Sequence, residues 1–230
     1  MDTNAVSSVV SQLHTEFKKN FVQSFDLVVN LKDLNLKKPD EQVDFFTTLP
    51  KSLQKKIKVC GLVGPELIDE SKEHFDKTLT VSDFESLSKQ DTKKLADEFD
   101  FFVAQATIMP KVAATFGRTF GPKNKMPNPK SGCVVPPKAN LKPLYEKLQN
   151  TVRVKTKNAL VLQNRVGTEE MEIEAVAENI MQLYDSIVHH LPKEENNVSA
   201  VYVKKTMSKA VRLQWVQLEF SLQKNLQSQM

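Results

Sequence analysis

The sequence predicts an α/β fold of two domains, one split along the chain and the other inserted into it. Three observations predict this. Strict apolar alternation from Ser24 to Leu31 returns only after Thr151, a series of compact apolar strands and helix-forming stretches lies between, and a long apolar stripe from Glu172 to Leu191 marks a helix among the returning strands. Strand-rich segments at both ends with an α/β block between them place the first domain at 1–56 and 150–230 and the inserted one at 57–149. Two crossings, near Lys55-Lys56 and Asn150, would permit hinge motion while limiting relative twist.

Taken in order, Val6, Val9, Val10, Leu13 and Phe17 recur at spacings of three and four and predict a helix from Ala5 to Phe17. In the first strand Phe25, Leu27, Val29 and Leu31 share one side and Ser24, Asp26, Val28 and Asn30 the other. Leu36-Lys37-Lys38-Pro39-Asp40 reads as a turn, followed by a returning strand from Val43 to Leu49. Ile57 to Val63 is an apolar strand leading into Gly64-Pro65-Glu66, which opens a helix as in the first βα unit of a parallel sheet. Thr78 to Val81 and Phe99 to Ala104 read as strands, Asp91 to Glu98 and Ile108 to Phe116 as helices, and Leu141 to Gln149 as the helix closing the block after Pro136-Pro137. Hairpin texture then returns: Val152 and Val154 alternate with Arg153 and Lys155, and Asn158-Ala159 turns into Leu160 to Val166. The stripe from Glu172 to Leu191 has its acids near the start, as the helix dipole favours, and Pro192 stops it before a last strand, Ser199 to Val203.

With 230 residues, 40% apolar and 26% charged, the chain can bury one large or two small cores. A formal charge of +4 and a pI near 8.9 allow an anionic partner without demanding one. Cys60 and Cys133 stand far apart without CxxC neighbours, so neither a disulfide framework nor a zinc site is expected and a reducing, cytoplasmic setting is. The start, MDTNAVSSVV, lacks the pattern of a secretory signal, and no segment reaches the roughly 20 apolar residues that span a bilayer.

Net charge does not separate the domains, but its local distribution does. Between Asp100 and Glu146 there is no acid, while Lys111, Arg118, Lys123, Lys125, Lys130, Lys138 and Lys142 are all present around Gly121, Pro122, Pro127, Pro129 and Gly132. Such a one-sign loop suits a phosphate backbone; the plainer reading is a solvated basic loop. A second basic set, Lys204, Lys205, Lys209 and Arg212, surrounds Thr206, Met207 and Ser208. Hydroxyls can bond ribose and phosphate oxygens, and an exposed Met can pack on a sugar or base; the alternative is a basic strand end. Chemistry of other kinds finds little support. His14, His74, His189 and His190 lack metal-ligand spacing, and the Gly61-Leu62-Val63-Gly64 turn lacks the third glycine of a dinucleotide fingerprint. Gly121 to Lys125 is not a Walker loop, and no nucleophile is paired with a base.

Several of these segments resemble a known family in order along the chain. Lys19-Asn20-Phe21-Val22-Gln23-Ser24-Phe25-Asp26, Asn30-Leu31-Lys32-Asp33-Leu34 and Leu36-Lys37-Lys38-Pro39 resemble the N-terminal signature of the first-numbered protein of the large ribosomal subunit, archaeal type. Phe120-Gly121-Pro122-Lys123-Asn124-Lys125-Met126-Pro127-Asn128-Pro129-Lys130 is similar to the family's most diagnostic stretch, and Thr151 to Lys155, Val166-Gly167-Thr168 and Val203-Lys204-Lys205-Thr206-Met207 follow. The resemblance covers roughly Phe17 to Leu213. It implies a split α+β domain with an antiparallel sheet and an inserted Rossmann-like, three-layer α/β/α domain.

It further implies an RNA-binding ribosomal protein and not an enzyme: a mobile stalk beside the exit site that assists release of deacylated tRNA and represses translation of its own messenger. The implied partners are large-subunit ribosomal RNA, exit-site tRNA and the messenger; no membrane, cofactor, metal or catalytic residue is expected, and the chain is expected to be monomeric apart from the ribosome. By position, the RNA surface would comprise Lys19, Phe21, Gln23, Ser24, Lys155, Lys204, Lys205, Thr206, Met207 and Ser208, with Lys111, Arg118, Lys123, Lys125 and Lys130 as a secondary basic surface.

Ser208 and Lys209 stand where the family reads Gly-Pro after Thr-Met, and Pro50-Lys51-Ser52 where it often reads Pro-His-Gly; the tail after Leu213 is longer than the family pattern. A side chain at 208 would either weaken RNA binding or be compensated by Lys209. The competing readings are a non-ribosomal relative acting in ribosome assembly and a nucleotide-dependent enzyme on the middle domain, the latter supported by fold analogy.

Overall fold

A computed structural model describes residues 3–16, 19–38, 41–54, 56–156 and 159–213. Phe17, residues 39 and 40, Lys55, Asn158 and the tail from 214 lie outside the described residues. The chain opens with α1 (Thr3–Thr15), β1 (Ser24–Leu31) and β2 (Asp44–Thr48). It continues through β3 (Val59–Val63), α2 (Ile68–His74), β4 (Lys77–Thr80), α3 (Val81–Ser86), α4 (Lys89–Glu98), β5 (Phe101–Gln105), α5 (Met109–Phe120), β6 (Val134–Val135) and α6 (Leu141–Gln149). It ends with β7 (Thr151–Lys155), β8 (Val161–Thr168), α7 (Ile173–His189), β9 (Val198–Lys205) and β10 (Val211–Leu213). Contacts group these into two compact units, Met1–Gln54 with Val152–Met230, and Lys55–Thr151.

In the first unit β1 pairs antiparallel with both β8 and β9, in a sheet ordered β10-β9-β1-β8. Its alternation sends Phe25, Leu27, Val29 and Leu31 into one core with Val6, Val10 and Leu13 of α1 and Val176, Ile180, Leu183 and Ile187 of α7. Each such side chain contributes roughly 1.5–3 kcal/mol by leaving water, so a one-residue slip of β1 would forfeit the whole row. The pairing of β1 with β8 shifts register between Phe25 and Asp26, where Val166 is the extra residue. Strands β2 and β7 form a separate two-stranded sheet, clamped where Arg153 Nε and Nη2 donate to the Asp44 carboxylate at 2.9 and 2.8 Å. The hairpin texture after Thr151 therefore does not become a β7–β8 hairpin. The two strands belong to different sheets, and Asn164 Nδ2 of β8 donates to Arg153 O of β7 at 2.8 Å.

The second unit is a parallel sheet ordered β4-β3-β5-β6 with helices on both faces, the expected three layers. Cys60, Leu62, Phe102 and Ala104 pack with Phe84, Leu95, Phe116 and Phe120 of α3, α4 and α5 on one face. Val59, Val63, Val103 and Val135 pack with Phe75, Leu141 and Leu148 on the other. Two short elements lay below the sequence reading, α3 and β6. Helix α3 is six residues held by Asp83, whose carboxylate accepts the Thr80 N–H at 2.8 Å and hydroxyl at 2.7 Å. Helix α5 runs past the predicted end at Phe116 to Phe120, so Arg118 joins Lys111 on the helix and leaves the basic loop, because Phe116 and Phe120 extend its apolar stripe into the core.

Candidate nucleic-acid interface

The end of the antiparallel sheet where β1 begins and β9 finishes brings together residues 182 apart in sequence. Ser24 N donates to Thr206 Oγ1 at 3.2 Å, the two hydroxyls stand 3.1 Å apart, and Thr206 N donates to Ser24 O at 3.1 Å. Gln23, fully buried, accepts the Met207 N–H on its Oε1 at 3.2 Å. These bonds fix two short segments whose outward side chains are apolar: Phe21 is 51% exposed, Val22 52% and Met207 59%. They are the large exposed hydrophobics among the described residues, and Lys19, Thr206 and Lys209 are exposed beside them in sequence. Apolar side chains that can stack on bases, next to hydroxyls and ammonium groups, suit an unpaired or splayed RNA surface.

The predicted residues separate into two kinds. Lys19, Phe21, Thr206 and Met207 present side chains outward, and Lys204 is half-buried on the sheet face turned away from the helices. Gln23, Ser24, Lys205 and Ser208 instead build the interior of the same corner. Lys205 has no exposed surface; its ammonium donates to His14 O at 3.1 Å and Glu16 O at 3.4 Å and meets Glu169 Oε2 at 3.0 Å. Its charge is spent inside the fold. Ser208 Oγ accepts the Lys205 N–H at 2.8 Å and donates to Lys209 O at 2.9 Å, while Ser208 N donates to Lys205 O at 3.2 Å. The serine side chain at the Gly-Pro position thus closes the Lys205–Ser208 turn. Lys155 is not part of this corner; it lies on the β2–β7 sheet and pairs with Asp44 at 3.3 Å. Burial alone would raise the Asp44 carboxyl, but the hydrogen bonds and charges of Arg153 and Lys155 bring it below the usual range.

The same sheet face carries residues the sequence reading did not assign. Register sets Asp26 between Arg165 and Lys204, and Val28 between Gln163 and Tyr202, with Arg212 beside Tyr202. Burial raises the Asp26 carboxyl, partly offset by Arg165 and Lys204. Their signal was the other half of the alternation that marked the core.

The secondary basic set divides in the same way. Lys111, Arg118 and Lys130 are exposed, whereas Lys123 Nζ bonds the Asp97 carboxylate and Lys125 Nζ donates to Phe99 O at 2.7 Å. In the parallel sheet the order of strands reverses between β3 and β5, the place where such sheets take up nucleotides. Here Gln105 Oε1 accepts the Gly64 N–H at 2.8 Å and its Nε2 donates to Glu66 at 3.1 Å, so a side-chain amide already takes up the Gly64 N–H at this edge. Gly61 and Gly64 serve packing: a Cβ at 61 would strike Ser71 and Phe75, and one at 64 would meet Gln105 Oε1 at 2.8 Å. Cys60 is buried and its thiol pushed up to about 12 by burial, which keeps it protonated and inert. Among the described residues no helix is long and apolar enough to cross a membrane, and no group of three His, Cys, Asp or Glu could hold a metal ion.

A split α+β unit with an inserted parallel-sheet unit agrees with the two-domain architecture of a ribosomal protein family. The chain belongs to the ribosomal protein L1p/L10e family, whose pattern matches residues 12–209. It is 40% identical over 200 residues to large ribosomal subunit protein uL1 of Nanoarchaeum equitans, covering 85% of this chain and 93% of the relative. The uL1 protein of Methanobrevibacter smithii is 37% identical over 215 residues, covering 92% and 99% respectively. That of Pyrococcus horikoshii is 37% identical over 199 residues, covering 85% and 89%.

Proposed function

We propose that this chain is a structural constituent of the large ribosomal subunit that binds ribosomal RNA through the β1–β9 corner, in a cytoplasmic ribosome. The observation that carries the reading is the corner itself: Phe21, Val22 and Met207 stand exposed beside hydrogen bonds that tie Gln23 and Ser24 to Thr206 and Met207, with Lys19 and Lys204 around them. Exposed apolar side chains grouped together and rimmed by polar and basic residues mark an interaction surface. The neighbouring sheet face, with Arg165, Tyr202, Lys204 and Arg212, extends the surface along β8, β9 and β10. The finer role is that of a mobile stalk at the exit site which assists release of deacylated tRNA, with Lys111, Arg118 and Lys130 of the inserted unit turned to the tRNA. Binding of the chain's own messenger through the same corner, and repression of its translation, follow if that messenger offers a similar fold.

The test is sedimentation with large subunits together with protection of a defined ribosomal RNA segment by the purified chain. Removal of 57–149 with rejoined ends should leave that protection in place if the remnant's circular dichroism remains native. Loss of protection from a folded remnant would move the main site to the inserted unit.

A further inference from the structure

Beneath the exposed corner lies a buried polar cluster whose centre is Glu169, just past the end of β8. One carboxylate oxygen, Oε1, accepts the Gln23 N–H at 3.0 Å, and the other, Oε2, meets the Lys205 ammonium at 3.0 Å. The same residue's backbone N–H donates to Gln23 O at 3.0 Å, and its carbonyl bonds His14 Nε2 at 3.1 Å. Glu169 therefore touches the last turn of α1, the residue before β1 and the last residue of β9. Both segments that it grips carry the outward side chains: Gln23 follows Phe21 and Val22 and also holds the Met207 N–H, and Lys205 begins the turn bearing Thr206 and Met207.

We propose that Glu169 is the positioning residue of the RNA surface, its single carboxylate fixing the two chain segments that present Phe21, Val22 and Met207. This rests on the RNA-binding reading above. Lys205 is fully buried, lies 5.8 Å from the Phe25 ring centroid, and otherwise bonds only to backbone carbonyls in this cluster, so Glu169, whose side chain is 19% exposed, is its counter-charge. Burial by itself would raise the Glu169 carboxyl, but the Gln23 N–H, Lys205 and His14 hold it below the usual carboxylate range, so Glu169 is ionised at neutral pH. An apolar pair of similar volume would serve stability as well as a buried ion pair does. What the ion pair adds is a unique arrangement: two oxygens of fixed separation tie strand ends that are more than 180 residues apart.

The experiment compares the full-length chain with Glu169→Gln and with Glu169→Gln/Lys205→Met, each titrated with a large-subunit ribosomal RNA fragment that the unaltered chain protects. Glutamine keeps one acceptor oxygen where the carboxylate offers two, one to the Gln23 N–H and one to the ammonium, and it removes the negative charge opposite Lys205. Glu169→Gln should weaken RNA binding at least tenfold at a temperature where circular dichroism shows full folding. The double variant, relieved of the uncompensated ammonium, should regain melting temperature but not affinity. Amide exchange at Gln23 and Met207, measured without RNA, should accelerate in both variants.

Affinity that recovers in step with the melting temperature would reduce Glu169 to a stability role and overturn the proposal, as would undiminished binding by Glu169→Gln. If the unaltered chain binds no ribosomal RNA, the functional reading fails, and the amide exchange still decides whether Glu169 fixes these segments.

Discussion

The β1–β9 corner of the split unit and the β3–β5 edge of the inserted unit are both strand ends rich in polar groups, and they dispose of them in opposite ways. At the β3–β5 edge the groups that could meet a ligand are spent on one another: Gln105 occupies the Gly64 N–H and Glu66. At the β1–β9 corner Gln23, Glu169, Lys205 and the Thr206 hydroxyl satisfy the interior, which leaves Phe21, Val22 and Met207 facing outward. The difference teaches that a binding surface is recognised less by the polar residues it contains than by which of them the fold has already used. Charge alone points to the wrong lysines. Lys205 and Lys125 have internal partners and Lys123 pairs with the exposed Asp97, whereas Lys19, Lys111 and Lys130 are exposed.

The contrast can be broken most forcefully at the corner. Changing Thr206 and Met207 together to Ala should lower ribosomal RNA affinity roughly 100-fold, about what losing a stacked side chain and a sugar contact removes, as read by filter binding at fixed salt. Undiminished affinity would remove these residues from the surface. A smaller effect is expected from Lys204→Ala, a loss of roughly fivefold with the slope of log affinity against log salt reduced by about one; an unchanged slope would show that Lys204 meets no phosphate.

Asp26→Asn should act in the favourable direction. The folded protein raises this carboxyl, so its ionised form disfavours folding as pH rises from the unfolded toward the folded pKa and above. The variant should melt higher at pH 7, with the difference vanishing at pH values below the unfolded pKa. Glu169 and Asp44 have the opposite sign, their carboxyls being depressed in the folded state: what they contribute is present above the unfolded carboxylate pKa and lost as pH falls through the lowered folded values. The smallest effect, none, is expected for nucleotides at the β3–β5 edge. Calorimetry with common mono- and dinucleotides should register no saturable heat, and micromolar binding there would undo the comparison.

What was legible in the sequence was periodic. The alternation of β1 from Ser24 to Leu31 and the stripe of α7 each concern neighbours a few positions apart, and the same spacing governs burial in the fold. What was illegible was short or distant. Helix α3 lacks the length to show a period, and its signal is the Thr80–Asp83 cap; β6, of two residues, and β10, of three, offer no pattern. Lys205 read as a surface cation because lysine is so rarely buried without a partner, and its partners, Glu169 among them, are set by pairing across the sheet. Among the outward corner residues, Thr206 and Met207 stood out by their chemistry within a basic set, Lys19 and Phe21 came from a resemblance to family motifs, and Val22 was not assigned. Arg165 and Tyr202 needed only the solvent half of an alternation whose buried half had already been seen.

The position of β1 between β8 and β9 has a consequence for how the protein comes into being. As the chain leaves the ribosome that makes it, β1 emerges early and has no sheet partner until residues 161–205 follow, while the residues of the inserted unit are all available before them. The contacts that shape the corner, Ser24 with Thr206 and Gln23 with Met207, can form only once residues 206 and 207 have been made. A chain broken off before Thr206 would keep Phe21 and Val22 but lack the contacts that hold them against the end of β9.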